Sequence, residues 1–180
     1  MRKLKITELN RLSVDEFKQA EKLPLVVVLD EVRSLHNIGS VFRTSDAFLV
    51  NRIYLCGITA TPPHPVMHKT ALGAEDTVDW SYKKHTLEAV HELHNEGYTV
   101  LAIEQVEGST MLDNLSLDPD KKYAIELVES NNDSVKIAGD YIERQPLVAF
   151  QKNADFYARF ISNSFNAFNG SNNVFVASSF

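Results

Sequence analysis

Leu25-Val26-Val27-Val28-Leu29-Asp30 is apolar on both alternating faces until its last residue. A strand of that kind must be covered on both sides, which is the condition of an inner strand in a parallel sheet. A short polar connection through Arg33, Ser34 and His36 follows, and then the period changes. At about 100° per residue, Ile38, Val41, Phe42, Ser45, Phe48 and Leu49 fall on one side of a helix, and Asn37, Ser40, Arg43 and Thr44 on the other. The apolar side is expected to pack on the sheet. An amide, two hydroxyls and a guanidinium are then displayed beyond the carboxyl end of the first strand, where open α/β sheets bind ligands. Period and polarity alone fit a merely solvated face equally well.

Strand and helix go on alternating. Ser13 and Glu16 form a capping box that opens a short helix through Phe17, Ala20 and Leu23, ended by Pro24. Val78, Trp80 and Tyr82 alternate as in a half-exposed strand. Thr86 caps a helix in which Leu87, Val90, Leu93 and His94 share a face, and Gly97 closes it. This order predicts an α/β fold, a parallel sheet with helices on both faces. The last 55 residues hold eight asparagines against five in the first 125, so the composition changes near Glu126. Residues 1–125 are therefore expected to form an α/β domain, and 126–180 a divergent C-terminal segment packed on it. In that segment Phe156, Phe160, Ile161, Phe165 and Phe168 have helical spacing, read as core packing of one helix from Asp155 to Phe168.

Composition excludes several classes. No run approaches 18 apolar residues, so no membrane span is expected, and the basic start Met1–Thr7 lacks the apolar core of a signal peptide. The single cysteine, Cys56, lies in an apolar run; it allows no internal disulfide and fits a reducing cytoplasm. There is no paired Cys/His spacing for a metal, no Gly-x-Ser-x-Gly, and only Gly39 where a glycine-rich phosphate loop would need several glycines. A net charge of −6 disfavours nucleic acid as a whole-chain partner, although local field decides phosphate binding. The local positive spots are Arg2, Lys3 and Lys5, then Lys69, then Lys83-Lys84-His85, then Lys121-Lys122.

The string Asn37-Ile38-Gly39-Ser40-Val41-Phe42-Arg43-Thr44-Ser45-Asp46-Ala47-Phe48 is more specific than its period. It resembles the first signature motif of the SpoU family, RNA 2′-O-ribose methyltransferases of the SPOUT class. The likeness takes in Leu25–Asp30 and Arg52–Gly57 as sheet strands and Thr61–Ala74 as a connection, and runs through Val100–Glu104 to about Ile125. Beyond that the chain departs from the family. Ala124–Ser130 stands where a Gly-Asn-Glu turn belongs, and the nearest string to the third motif is Ser171–Ala177, without its Ile-Pro.

The resemblance implies a SPOUT-like knotted α/β fold whose C-terminal knot region is atypical or incomplete here. It implies S-adenosylmethionine as methyl donor, a structured RNA (tRNA or rRNA) as substrate, and a homodimer. Asn37 and Arg43 are carried over as catalytic residues on the RNA side, and Glu104 and Gln105 as the donor-binding point, through main chain. In that role Arg43 grips the phosphate next to the target ribose and stabilises the forming alkoxide. A guanidinium is too weak a base to take the proton, which goes to a phosphate oxygen or water. The alternative is an inactive SpoU-like chain that binds RNA or dimerises without the donor.

Overall fold

The computed structural model describes residues 2, 12–103, 110–111, 115–128 and 147–149. Glu104, Gln105, the Phe-rich stretch from Asp155 to Phe168 and the string Ser171–Ala177 lie outside them, as does the knot region.

In chain order the elements are α1 (Val14–Gln19), β1 (Leu23–Asp30), α2 (Leu35–Ala47), β2 (Val50–Cys56), α3 (Pro65–Ala71), α4 (Ala74–Thr77), β3 (Trp80–Lys83), α5 (Thr86–Asn95), β4 (Tyr98–Ile103), β5 (Thr110–Met111), β6 (Lys122–Val128) and β7 (Leu147–Ala149). The strands form one sheet in the order β3-β2-β1-β6-β4-β7-β5. Every pairing is parallel, with Val27 opposite Ile53 on one side and Ile125 on the other. The apolar run is thus the inner strand β1, and Val26 and Val28 are fully buried.

Residues on alternating sides of the strands enter two cores. Leu25, Val27, Leu29, Ile53, Leu55, Leu101 and Ile125 meet Ile38, Val41 and Phe42 of α2 together with Phe17 and Met67. On the opposite side Val26, Val28, Tyr54, Cys56, Val100 and Ala124 meet Ala89, Val90 and Leu93 of α5. The sheet therefore carries helices on both faces. Burial pushes the Cys56 thiol up to about 12, so this cysteine stays protonated and packs as a small apolar group.

Three local expectations need correction. The capping box is present, but α1 stops at Gln19. Leu23 instead opens β1, its N–H donating to Leu49 O at 2.8 Å, and Pro24 falls where the β1–β2 register shifts. Thr86 is the first helical residue of α5 and not its cap, since its hydroxyl donates to the Asp30 carboxylate; the face that α5 buries is Ala89, Val90 and Leu93, while Leu87 and His94 stay exposed. Val78 does not belong to β3 but closes α4 and is buried.

Candidate active site

The amino end of α2 stands at the carboxyl end of β1, and each link between them has a chemical cause. Ser34 is the N-cap, its Oγ accepting the N–H of Asn37 at 3.3 Å. Thr59, buried in the loop after β2, ties that loop to the turn before α2. Its Oγ1 accepts from Val32 N at 2.9 Å and donates to Leu29 O at 3.1 Å. Glu31 takes a left-handed φ of 54°, and its carboxylate accepts the N–H of Ile58 at 3.3 Å. Gly57, at φ 61°, lies directly under that carboxylate, where a β-carbon would stand 2.0 Å from Glu31 Oε1. The turn is held from both strands.

The helix is also held from the side. Gly39 lets α2 approach α3 so closely that a β-carbon there would lie 2.1 Å from Thr70 Oγ1 and 2.3 Å from the Met67 carbonyl oxygen. Thr70 Oγ1 completes the contact by donating to His36 O at 3.0 Å. Gly39→Ala is expected to destabilise the fold by about 1–3 kcal/mol. Helix propensity would favour alanine by about 1 kcal/mol. The clash wins because a backbone carbonyl cannot swing aside as a flexible side chain can. Urea unfolding checks this; an alanine variant as stable as the parent would show that α2 and α3 separate freely.

Asn37 and Arg43 stand on the outward side of this braced helix, six residues or about 9 Å apart along its axis. Asn37 is exposed and Arg43 half-buried. Among the described residues, neither side chain has a hydrogen-bond or ion-pair partner. Arg43 is one turn beyond Gly39 and three residues before Asp46, whose carboxylate accepts from Thr77 Oγ1 at 2.5 Å. Its stripe therefore runs along the α3–α4 side, which accounts for its partial burial.

The two hydroxyls expected on this face are not free donors. Ser40 Oγ donates to His36 O at 2.8 Å, and Thr44 Oγ1 to Ser40 O at 2.9 Å. Both protons are thus turned back into the helix. Among the described residues, Asn37 and Arg43 are left as the side-chain donors on the polar side of α2. Sequence reasoning missed Ser34, Thr59 and Thr70. Ser34, three residues before Asn37, carried a capping signal, and a glycine inside a helical pattern marked the close approach at Gly39.

Behind this face, Asp30 ends β1 with its carboxylate accepting from Thr86. Burial pushes its acidity weaker than that of an ordinary aspartate, and the Thr86 hydroxyl opposes that push only in part. A carboxyl that holds its proton more tightly when folded gives most stability below the unfolded carboxylate range. It loses that contribution as pH rises through the raised folded value. Asp30→Asn keeps an acceptor for Thr86 and removes the charge. The wild type is expected to lose stability relative to Asp30→Asn as pH rises from about 3 to 7. Parallel denaturation curves showing a constant difference would refute it.

Glu104 and Gln105, which the resemblance carries over to the donor, come next in the chain after β4. β4 and β6 end side by side, with Ile103 opposite Leu127. Open parallel sheets bind ligands at the carboxyl ends of their strands. Ile103 and Leu127 are buried there in the same core on which Leu115 and Leu117 pack. Among the described residues, no group of three or more His, Cys, Asp or Glu is placed to hold a metal ion, and no helix is long and apolar enough to cross a membrane.

Residues 24–129, more than half of the chain, match the SpoU rRNA Methylase family. The chain belongs to the SpoU family. It is 30% identical over 98 residues to the 23S rRNA (guanosine-2'-O-)-methyltransferase RlmB of Nitrosomonas europaea, a match covering 53% of this chain and 38% of that protein. The chain thus spans well under half the length of this SpoU relative. The A. aeolicus TrmH/SpoU tRNA modifying enzyme has the same fold, with a TM-score of 0.64 and 16% identity over 84% of this chain and 78% of that one. So does the AdoMet-bound rRNA methyltransferase from Sinorhizobium meliloti, at 0.64 and 20% over 84% and 59%.

Proposed function

We propose that this SpoU chain methylates the 2′-oxygen of a ribose in tRNA or rRNA, with S-adenosylmethionine as donor. The observation that carries the reading is Arg43, a half-buried guanidinium without a described partner on the same braced helix as Asn37. Its two parallel N–H donors match a phosphate oxygen pair. Arg43 holds the phosphate beside the target ribose and stabilises the alkoxide forming at the 2′-oxygen. A guanidinium is too weak a base to take the ribose proton, which leaves to a phosphate oxygen or water. Asn37, whose amide has no partner among the described residues, orients the ribose or the guanidinium.

S-adenosylmethionine, when bound, supplies the methyl group. The residues that would hold it are the main chain at Glu104–Gln105 and the apolar side chains of Ile103 and Leu127 behind it. Residues 126–180 act as a divergent segment of the same domain. β7, which pairs with β4 from Ala102 to Ile103, supports that reading. The chain works in the cytoplasm and as a homodimer, as the likeness to its family implies. Light scattering at high micromolar concentration is expected to give twice the 20.3 kDa of one chain, and a persistent single-chain mass would remove the dimer.

Calorimetric titration of the full chain with S-adenosylmethionine tests the central reading. Saturable binding near one donor per chain is expected. Absence of donor binding would leave the inactive RNA-binding or dimer-forming alternative, since Ala124–Ser130 lacks the family's Gly-Asn-Glu turn.

A further inference from the structure

β3 is an edge strand, paired on one side with β2. Trp80 and Tyr82 sit opposite Ile53 and Leu55, so both rings project to the α2 side of the sheet. Unlike their buried partners they face solvent, Trp80 by 37% and Tyr82 by 48%, and Ile58 beside them by 56%. The Tyr82 hydroxyl donates to Gly57 O at 2.9 Å, which fixes that ring before any ligand arrives. Two positions along a strand separate the rings by about 6.7 Å. That is far enough for each to take its own base from an unstacked strand.

Hydrogen bonds link the strip to the turn before α2. From Tyr82 it passes through Gly57 and Ile58 to Thr59, whose hydroxyl holds Val32 just before the α2 cap. The strip ends at a lysine. Lys84 and His85 are exposed at its end, and Lys84 has no described partner. The Glu31 carboxylate beside the strip accepts the N–H of Ile58. A strand of four residues is a poor template for an added protein strand, which argues against a peptide or a second copy.

We propose that Trp80 and Tyr82 form a stacking platform for two unpaired nucleotides of the RNA substrate, with Lys84 on their phosphates. This rests on the RNA-methylating reading and names where the substrate's single-stranded flank lies.

Trp80 is the only tryptophan of the chain, so its fluorescence reports on the platform directly. The full chain is titrated with an unstructured oligoadenylate of about eight nucleotides. Saturable quenching is expected for the parent, and by anisotropy of the labelled oligonucleotide affinity should fall roughly ten- to hundredfold for Trp80→Ala or Tyr82→Ala. Trp80→Phe and Tyr82→Phe, which keep a ring, should bind within a few-fold of the parent by fluorescence anisotropy. Binding of S-adenosylmethionine should be unchanged in all four. RNA binding without quenching, and equal in the alanine variants, would overturn the platform while leaving the methyltransferase reading intact. Quenching that rises with protein concentration alone would assign the strip to a second copy and also overturn it. A chain that binds neither RNA nor donor would fail on both counts.

Discussion

Arg43→Ala is expected to abolish methyl transfer and leave the affinity for S-adenosylmethionine nearly unchanged. The guanidinium is half-buried along the α3–α4 side of α2, whereas the residues proposed to bind the donor follow β4, which β6 separates from β1 in the sheet. Losing one charge-assisted contact to a phosphate costs about 1.5–3 kcal/mol, roughly a tenfold to hundredfold effect on substrate engagement. Loss of alkoxide stabilisation multiplies that in the chemical step. Arg43→Lys should recover little, because an ammonium keeps the charge and loses the planar fork. Single-turnover methylation with donor in excess separates the two effects, and calorimetry follows donor affinity. An active alanine variant would mean that the polar side of α2 is only solvated.

Phe42→Ala is expected to cost about 3–5 kcal/mol, the range for removing a fully enclosed aromatic ring. Phe42 is 0% exposed and meets Ile38, Val41 and the β1–β2 side chains in the core beneath α2. The surroundings cannot collapse easily into the space, because Gly39 already holds α2 against α3 at contact distance. For a domain of this size the loss corresponds to a fall in Tm of roughly 6–20 °C. Thermal unfolding of the full chain gives the answer. A change below about 1 kcal/mol would mean that α2 is not anchored through this ring, and the placement of Arg43 would lose its support. Phe42 and Arg43 are adjacent in sequence and act on different quantities, stability and chemistry.

Much of this was legible in the residues. The run Leu25–Asp30 had no polar side to show to water, so its inner, parallel position followed from composition alone. The face of α2 was legible because Ile38, Val41, Phe42 and Ser45 repeat at the helical period and all four are buried. Helices α3 and α4 were not foreseen. They are seven and four residues long, too short for a period to emerge, and are separated by the left-handed pair Leu72 and Gly73. Thr86 looked like a cap because threonine often is one, but the carboxylate of Asp30, 56 residues away in sequence, competes for its hydroxyl. The same limit applied to Ser40 and Thr44, whose polarity was evident but whose protons turn inward. Propensity describes a residue's neighbours in the chain; these outcomes depended on neighbours in space.

The chemical claim is that a ribose 2′-oxygen receives the methyl group. It is tested most directly by incubating the full chain with unmodified rRNA and tRNA and methyl-labelled S-adenosylmethionine, then hydrolysing the RNA in alkali. A methylated 2′-oxygen cannot attack the adjacent phosphate, so the label should appear in alkali-resistant dinucleotides and be absent with Arg43→Ala. Label confined to mononucleotides, which marks methylation on a base, would contradict the account, as would donor binding without any transfer to either RNA.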